Sequence, residues 1–370
     1  MSRRYFIVVN IFFICLLSVS ALFLIIMNYN RDNQLELENR INIMEYKKFA
    51  TKESYGYNWT GAINKAFNQL RKDGGGELYL PYGVYYISNI IVPSNVVLHL
   101  QSAGIYYGSK EKQPSCFKRI PGSVGYAITF NSSSKSKDVI LEGEGIGDGV
   151  RTKDHVIIDG LFVFRTGGIG ISFGAVNTIT NVQSAYNVKN GIEITKSDSV
   201  ITQFYSYGNH QNGMYIGEGI ANTSISNGKL EWNDNSNLSL YNTNNIYISN
   251  VNIDRANKYG ISINGTVKVF FNNIRLWRNY KSEQDNKYSS HILVEGNNHK
   301  IYMNNVSMES GVNDDGKGIL SPKYAVNGWG SKNSKIFVTN LDAEEGYLES
   351  FFSPYSGDSI QLLQSTNSIK

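Results

Sequence analysis

Glu231 and Asp254 stand 23 residues apart at the same phase of a recurring pattern, and that phase gathers side chains able to do acid–base chemistry. The pattern is marked by a polar residue at Asn181, Gln203, Asn227, Asn250 and Asn273, in steps of 22, 24, 23 and 23, then at Asn305 and Asn340. Two places beyond each mark come Gln183, Tyr205, Lys229, Asn252, Arg275, Ser307 and Asp342. Four places beyond come Ala185, Tyr207, Glu231, Asp254, Trp277, Glu309 and Glu344. If each mark opens a strand, period-2 alternation turns both sets outward and the residues between them inward. Strands one repeat apart lie about 4.8 Å from each other, so Glu231 and Asp254 approach the ~5–5.5 Å carboxyl separation of retaining glycosidases. Two acids that close push their pKa values apart, which suits an acid/base pair. Tyr205, Tyr207, Trp232 and Trp277 offer stacking surfaces for sugar rings; Lys229, Arg255 and Arg275 offer cations for uronate groups.

A rival face is the strand position of Glu193, Tyr215, Ser239 and Ser262, with the turn leading into it: His210, Asp234 and Lys258. Asp234 is the third catalytic candidate, and His210 is the natural proton carrier by type, read here among the substrate-binding residues. The insertion from Tyr280 to Ser290 lies between the two faces and can wall either one. Against both stands a plainer account, in which outward acids and bases are ordinary solvated cross-strand pairs and a turn histidine is a surface residue.

What must position these groups is a stack of short strands. Each repeat holds two or three alternating stretches, broken by Gly, Asn and Ser and too short for helices. One such strand cannot bury its apolar face alone, so each repeat must stack on the next, and self-similarity at this period reads as a solenoid. The marking residues then form a ladder at one tight turn, where Asn tolerates the left-handed conformation and bonds to its copies above and below. That role is structural.

The N-terminal part carries a different signature. Thr60 to Asp73 places Ala62, Ile63, Ala66, Phe67 and Leu70 on one helical stripe; Asn58 or Thr60 can cap its start and Gly74 its end. Gly-Gly-Gly-Glu-Leu-Tyr-Leu-Pro-Tyr-Gly-Val-Tyr-Tyr-Ile-Ser follows from Gly74 to Ser88. Such a helix is suited to cover the open end of a solenoid. Together, helix and strands resemble the N-terminal signature of the pectate-lyase-3 type within the pectin-lyase-like superfamily. The later repeats resemble that superfamily's coils, and the resemblance spans about Trp59 to Gly346.

The resemblance implies an all-β, right-handed parallel β-helix with an N-terminal capping helix. It implies that the face of Glu193 and Tyr215 is the usual groove. It implies no single activity, because the superfamily includes polysaccharide lyases, glycoside hydrolases, uronate epimerases, tailspike depolymerases and proteins without demonstrated activity. The Asn-Thr-Asp, Asp-Asp and Gly-His-Gly motifs of the polygalacturonase-type hydrolases do not transfer, since the corresponding stretches read Gln211-Asn212-Gly213, Asn233-Asp234-Asn235-Ser236 and Lys258-Tyr259-Gly260. Only Asp234 survives, and the Asp-Pro-His-Asp motif of alginate-type epimerases is absent. Some lyases of this fold use Ca²⁺, but no ligand set for it, or for any other cofactor, is legible.

Ahead of the solenoid, Tyr5 to Met27 is an uncharged run preceded by Arg3 and Arg4. Roughly 20 apolar residues span a bilayer, and the flanking cations orient the N-terminus to the cytoplasm. The competing reading is a signal peptide cleaved near Ser18-Val-Ser20, but the apolar run continues past it through Leu22 to Met27. The expected order is therefore a cytoplasmic N-terminus over 1–4, a transmembrane anchor over 5–27, a polar tether over 28–57 and the β-helix over 58–370, periplasmic or extracellular. Net charge is +4, of which Arg3 and Arg4 supply two, and no basic cluster with interleaved aromatics argues for nucleic acid. Cys15 and Cys116 have no partner for an intramolecular disulfide outside the anchor, and a homotrimer is possible but not indicated by the sequence.

Three function classes fit: a membrane-anchored enzyme cleaving or remodelling an acidic polysaccharide, as lyase or glycoside hydrolase; a non-catalytic solenoid binding exopolysaccharide or capsule during assembly or export; and an adhesin or structural spike, which the anchor disfavours.

Overall fold

A computed structural model describes residues 39–101, 115–280, 288–314, 316, 318–343, 346–354, 356 and 360–364. Their backbone winds into stacked coils that make two long parallel sheets. The first sheet has 11 strands, among them Tyr126–Phe130, Asp148–Thr152, Ile171–Phe173, Ile192–Ile194, Met214–Ile216, Leu238–Tyr241 and Ile261–Gly265. The second carries the long strands, including Thr178–Ala185, Val200–Tyr207, Ala221–Glu231, Asn244–Asp254, Lys268–Trp277, Lys300–Glu309 and Ser334–Asp342.

Each long strand bends where the repeat is marked. Asn181, Gln203, Asn227, Asn250, Asn273, Asn305 and Asn340 all have positive φ, between 52° and 56°, so the left-handed column expected from the sequence is present. The bend splits each strand into two arms, and the register resumes in phase beyond it, as in Val182↔Phe204 and Val251↔Ile274. Asn250 donates to Asn227, Asn273 to Asn250 and Asn340 to Asn305 through their amides, at 2.8–3.0 Å. Inside, Ile179, Ile201, Ile225 and Ile248 stack on one arm and Val182, Phe204, Val251 and Ile274 on the other, all buried. Gly228 takes the place of an aliphatic residue in that second row because Phe204 fills the space: a Cβ there would lie 2.2 Å from the ring.

A second ladder lies wholly inside, at the turn between the long strands and the first sheet. Thr166 donates to Asn187, Asn187 to Asn209 and Asn209 to Asn233, at 2.8–2.9 Å, and all four are fully buried. Asn279 and His291 close the row at 3.1 Å. His291 is fully buried, and burial pushes its imidazole down to about 4, so the ring stays neutral.

The helix Thr60–Lys72 covers one end of the stack with Ala62, Ile63, Ala66, Phe67 and Leu70, the stripe read from the sequence. Asn58 Oδ1 accepts from the Thr60 amide at 3.1 Å, and Gly74 ends the helix at φ +87°. The folded part begins earlier than expected. Residues 39–57, read as the end of the tether, are structured: Arg40–Asn42 pairs with Gly76–Leu80, and Ile43 is buried under the helix. Short strands with a buried contact every few residues carry too weak a periodicity to distinguish from a tether. No helix among the described residues is long and apolar enough to cross a membrane, and the run over 5–27 lies outside them.

Candidate functional site

The long strands bring the sequence-predicted residues together, but not as an open cleft. Tyr207, Glu231, Asp254, Trp277 and Glu309 are register partners on successive coils, flanked by the row Tyr205, Lys229, Asn252, Arg275 and Ser307. The expectation that both rows face solvent holds for the second row and, in the first, fails at Tyr207, Glu231 and Asp254 while Trp277 and Glu309 stay partly exposed. Tyr207, Glu231 and Asp254 are each 2% exposed. The physical reason is the residue that follows. Trp232, Arg255 and Arg278 have φ of 56°, 54° and 48°, which turns the chain back over the preceding side chains. A hairpin made by Gly311–Val312 and Ile319–Leu320 adds Asp314, whose carboxylate pairs with Arg255 and lies 3.8 Å from Arg278.

The covered groups pair with each other. Arg278 donates to both oxygens of Asp254, at 3.1 and 2.6 Å. Lys229 Nζ lies 2.5 Å from Glu231 Oε2, and the Tyr205 hydroxyl donates to Glu231 Oε1. Burial first and Asp254 second push the Glu231 carboxyl up to about 7; the Arg255 and Arg278 charges work against both. Burial also pushes Asp254 up, opposed by Arg278. Arg275 pairs with Glu309 through two hydrogen bonds, and the Trp277 ring lies between the guanidiniums of Arg275 and Arg278, at 4.3 and 3.3 Å. Arg255 lies 5.4 Å over the half-exposed Trp232 ring. Two of the three predicted catalytic acids thus belong to a buried ionic cluster, without access for a glycosidic oxygen. Glu344 lies outside the described residues.

The third acid is accessible. Asp234 accepts from Asn257 at 2.7 Å on one oxygen and lies 2.7 Å from His210 Nδ1 on the other, on an exposed turn. This turn leads into the first sheet, whose outer face carries the row Thr129, Arg151, Ser172, Glu193, Tyr215, Ser239 and Ser262 in register. Glu193 is half-buried and accepts from Asn190 at 2.7 Å. Burial, reinforced by the Asp148 carboxylate, raises its pKa. Tyr126 stands beside Asp148 as its register partner, with Arg151 5.1 Å over its ring. Its hydroxyl is raised by burial and by Asp148 and Glu193 together. Asp148 is fixed by the Ile169 amide at 2.9 Å. Glu193 and Tyr215 are legible in the sequence as a rival face. Tyr126, Asp148 and Arg151 are not, because the marking column begins only at Asn181 while its first members are Asp138 and Gly160.

Among the described residues no group of three or more His, Cys, Asp or Glu side chains is placed to hold a metal ion.

No protein-family model and no curated protein matches the chain. Solved structures do. The A-module of a mannuronan C-5 epimerase from Azotobacter vinelandii matches with a TM-score of 0.63 at 15% identity, covering 88% of this chain and 100% of that one. DFA-IIIase from Arthrobacter chlorophenolicus matches with a TM-score of 0.65 at 11% identity, covering 90% and 95%. A tailspike protein from an Escherichia coli bacteriophage matches with a TM-score of 0.61 at 14% identity, covering 82% of this chain and 46% of that one. At these identities the likeness establishes the architecture and no more. The chain folds as a right-handed parallel β-helix, the architecture it shares with these structures.

Proposed function

We propose that this protein acts on an acidic polysaccharide, with its chemistry on the first-sheet face around Glu193. The observation that carries this reading is the accessible row in which Glu193, with its raised pKa, lies within electrostatic range of Asp148 and Tyr126 and beside Arg151 two coils away. A carboxyl that holds its proton more tightly than usual is suited to deliver it to a glycosidic oxygen. Asp148 stands two coils from Glu193 and three places before Arg151, the residue in Glu193's own column; inverting hydrolysis needs a second carboxylate ~6.5–9.5 Å away, with room for an attacking water. Arg151 is suited to pair with a uronate carboxylate. In β-elimination the same Arg would stabilise charge at the uronate, and Tyr126 or Tyr215 would be the proton carrier. Anchorage by Tyr5 to Met27 would hold this face outside the cytoplasm.

The test uses the full-length chain and a panel of acidic and neutral polysaccharides, following absorbance near about 235 nm and new reducing ends, because elimination gives both and hydrolysis the second alone. Turnover lost in Glu193→Gln and kept in Glu231→Gln supports the reading; turnover unaffected by Glu193→Gln overturns it. A non-catalytic role in binding exopolysaccharide is the second reading, favoured by the locking of Glu231 and Asp254 into ion pairs. Binding without turnover on every substrate would select it.

A further inference from the structure

Lys268, Lys300 and Lys335 occupy one register position on three consecutive strands. Two places on, Phe270, Tyr302 and Phe337 are in register too, with rings stacked 4.6 Å apart and within 11° of parallel; Tyr247 extends the stack by 4.9 Å. Both rows point away from the core, because Val269, Ile301 and Ile336 between them are fully buried. None of the three lysines makes an ion pair among the described residues, and Lys300 and Lys335 are exposed. Like charges directly opposite each other destabilise a sheet. Elsewhere this sheet pairs unlike charges, as in Lys118 with Glu142 and Arg275 with Glu309. Lys268 Nζ lies 5.3 Å over the Phe270 ring, Lys300 and Lys335 reach solvent, and the row is open to an anion from outside. Alongside, beyond Asn272 and Asn304, the bend forms a groove of about 800 Å³ whose lining includes Asn273, Asn305 and Arg275.

We propose that this face binds an anionic polysaccharide laid along the solenoid axis, its carboxylates on the lysine row and its sugars against the aromatic row and the groove. The repeat of the cations along one line matches a linear polymer charged at each unit. The row also lies on the late coils, away from the Arg40–Asn42 end that leads to the expected anchor, which disfavours a lipid surface as the anion. The class of polymer rests on the polysaccharide reading above, but not on catalysis.

The experiment measures binding of the full-length chain in detergent to polygalacturonate and to its methyl-esterified form, for wild type and for Lys268→Gln/Lys300→Gln/Lys335→Gln. Wild type should prefer the acid form and lose affinity as salt rises. The triple variant should bind about tenfold more weakly, the sum of three exposed ion pairs. It should melt at or above the wild-type temperature, since a repulsion is gone. Equal affinity of the two proteins, equal affinity for the two polymers, or no binding of either polymer overturns the proposal. So does binding to vesicles of equal phosphatidylglycerol and phosphatidylcholine that the variant loses while polymer binding is unchanged. Turnover of a polymer by the triple variant with unchanged affinity would sink this proposal and leave the Glu193 reading standing; lysine-dependent binding without turnover would do the reverse.

Discussion

Arg278 holds Asp254 from the next coil through two hydrogen bonds, with both side chains almost completely buried. The pair is the floor of a cluster in which Lys229, Arg255 and Arg278 face Glu231, Asp254 and Asp314. The ion pairs among them explain how so many ionisable groups share one site.

Removing one partner leaves the other charged and buried. Arg278→Leu should therefore lower stability by about 3–5 kcal/mol, read as a fall in the urea midpoint. Arg278→Leu with Asp254→Leu should recover much of that loss; a double variant as unstable as the single one would contradict this account.

Glu231 gives the cluster a pH dependence. Its folded-state pKa of about 7 lies above the ordinary 4.5, so the folded protein binds this proton more tightly than the unfolded chain. For an acid shifted in that direction, stability is greatest below the unfolded value and falls as pH rises from about 4.5 to 7. Glu231→Gln should flatten that slope and raise the melting temperature at pH 8 relative to wild type. Melts recorded at half-unit intervals of pH would show it.

The two asparagine ladders should differ in weight. Asn209 accepts from Asn187, donates to Asn233 and Ser206, and is fully buried. Asn209→Ala should cost about 2–4 kcal/mol, through several stranded buried groups. Asn250→Ala, on the exposed ladder, should cost about 1 kcal/mol, mainly for a left-handed residue that is no longer Asn. Chemical denaturation of the two variants makes the comparison.

On the first-sheet face, Asp148→Asn and Glu193→Gln should each abolish turnover without lowering the melting temperature by more than a few degrees, since both side chains reach solvent. Steady-state rates beside a thermal melt separate loss of chemistry from loss of fold.

The marking column, the helical stripe and the alternation of the arms were all legible in the sequence, because each repeats or follows a single period. What escaped was the effect of residues outside the period. Trp232, Arg255 and Arg278 look like ordinary turn residues until their left-handed backbone carries them over Glu231 and Asp254. Asp314 enters from a hairpin more than 50 residues away, which no periodicity announces. The buried ladder of Asn187, Asn209 and Asn233 does repeat, in steps of 22 and 24, but polar residues at a loop phase read as exposed until the structure shows that they point inward. The first-sheet face was half legible. Glu193 and Tyr215 fall within the regular coils, whereas Tyr126, Asp148 and Arg151 lie where the marker is Asp138 or Gly160 instead of Asn.

Along the long strands each coil pairs with one completed 21 to 38 residues earlier, as Val200 does with Thr178 and Lys335 with Lys300. No such strand must wait for a distant partner, so closing each new coil carries nearly the same entropy cost as closing the last. The early end already has its lid in the helix Thr60–Lys72. A chain emerging N-terminus first thus finds a finished template at every step and exposes one growing edge at a time.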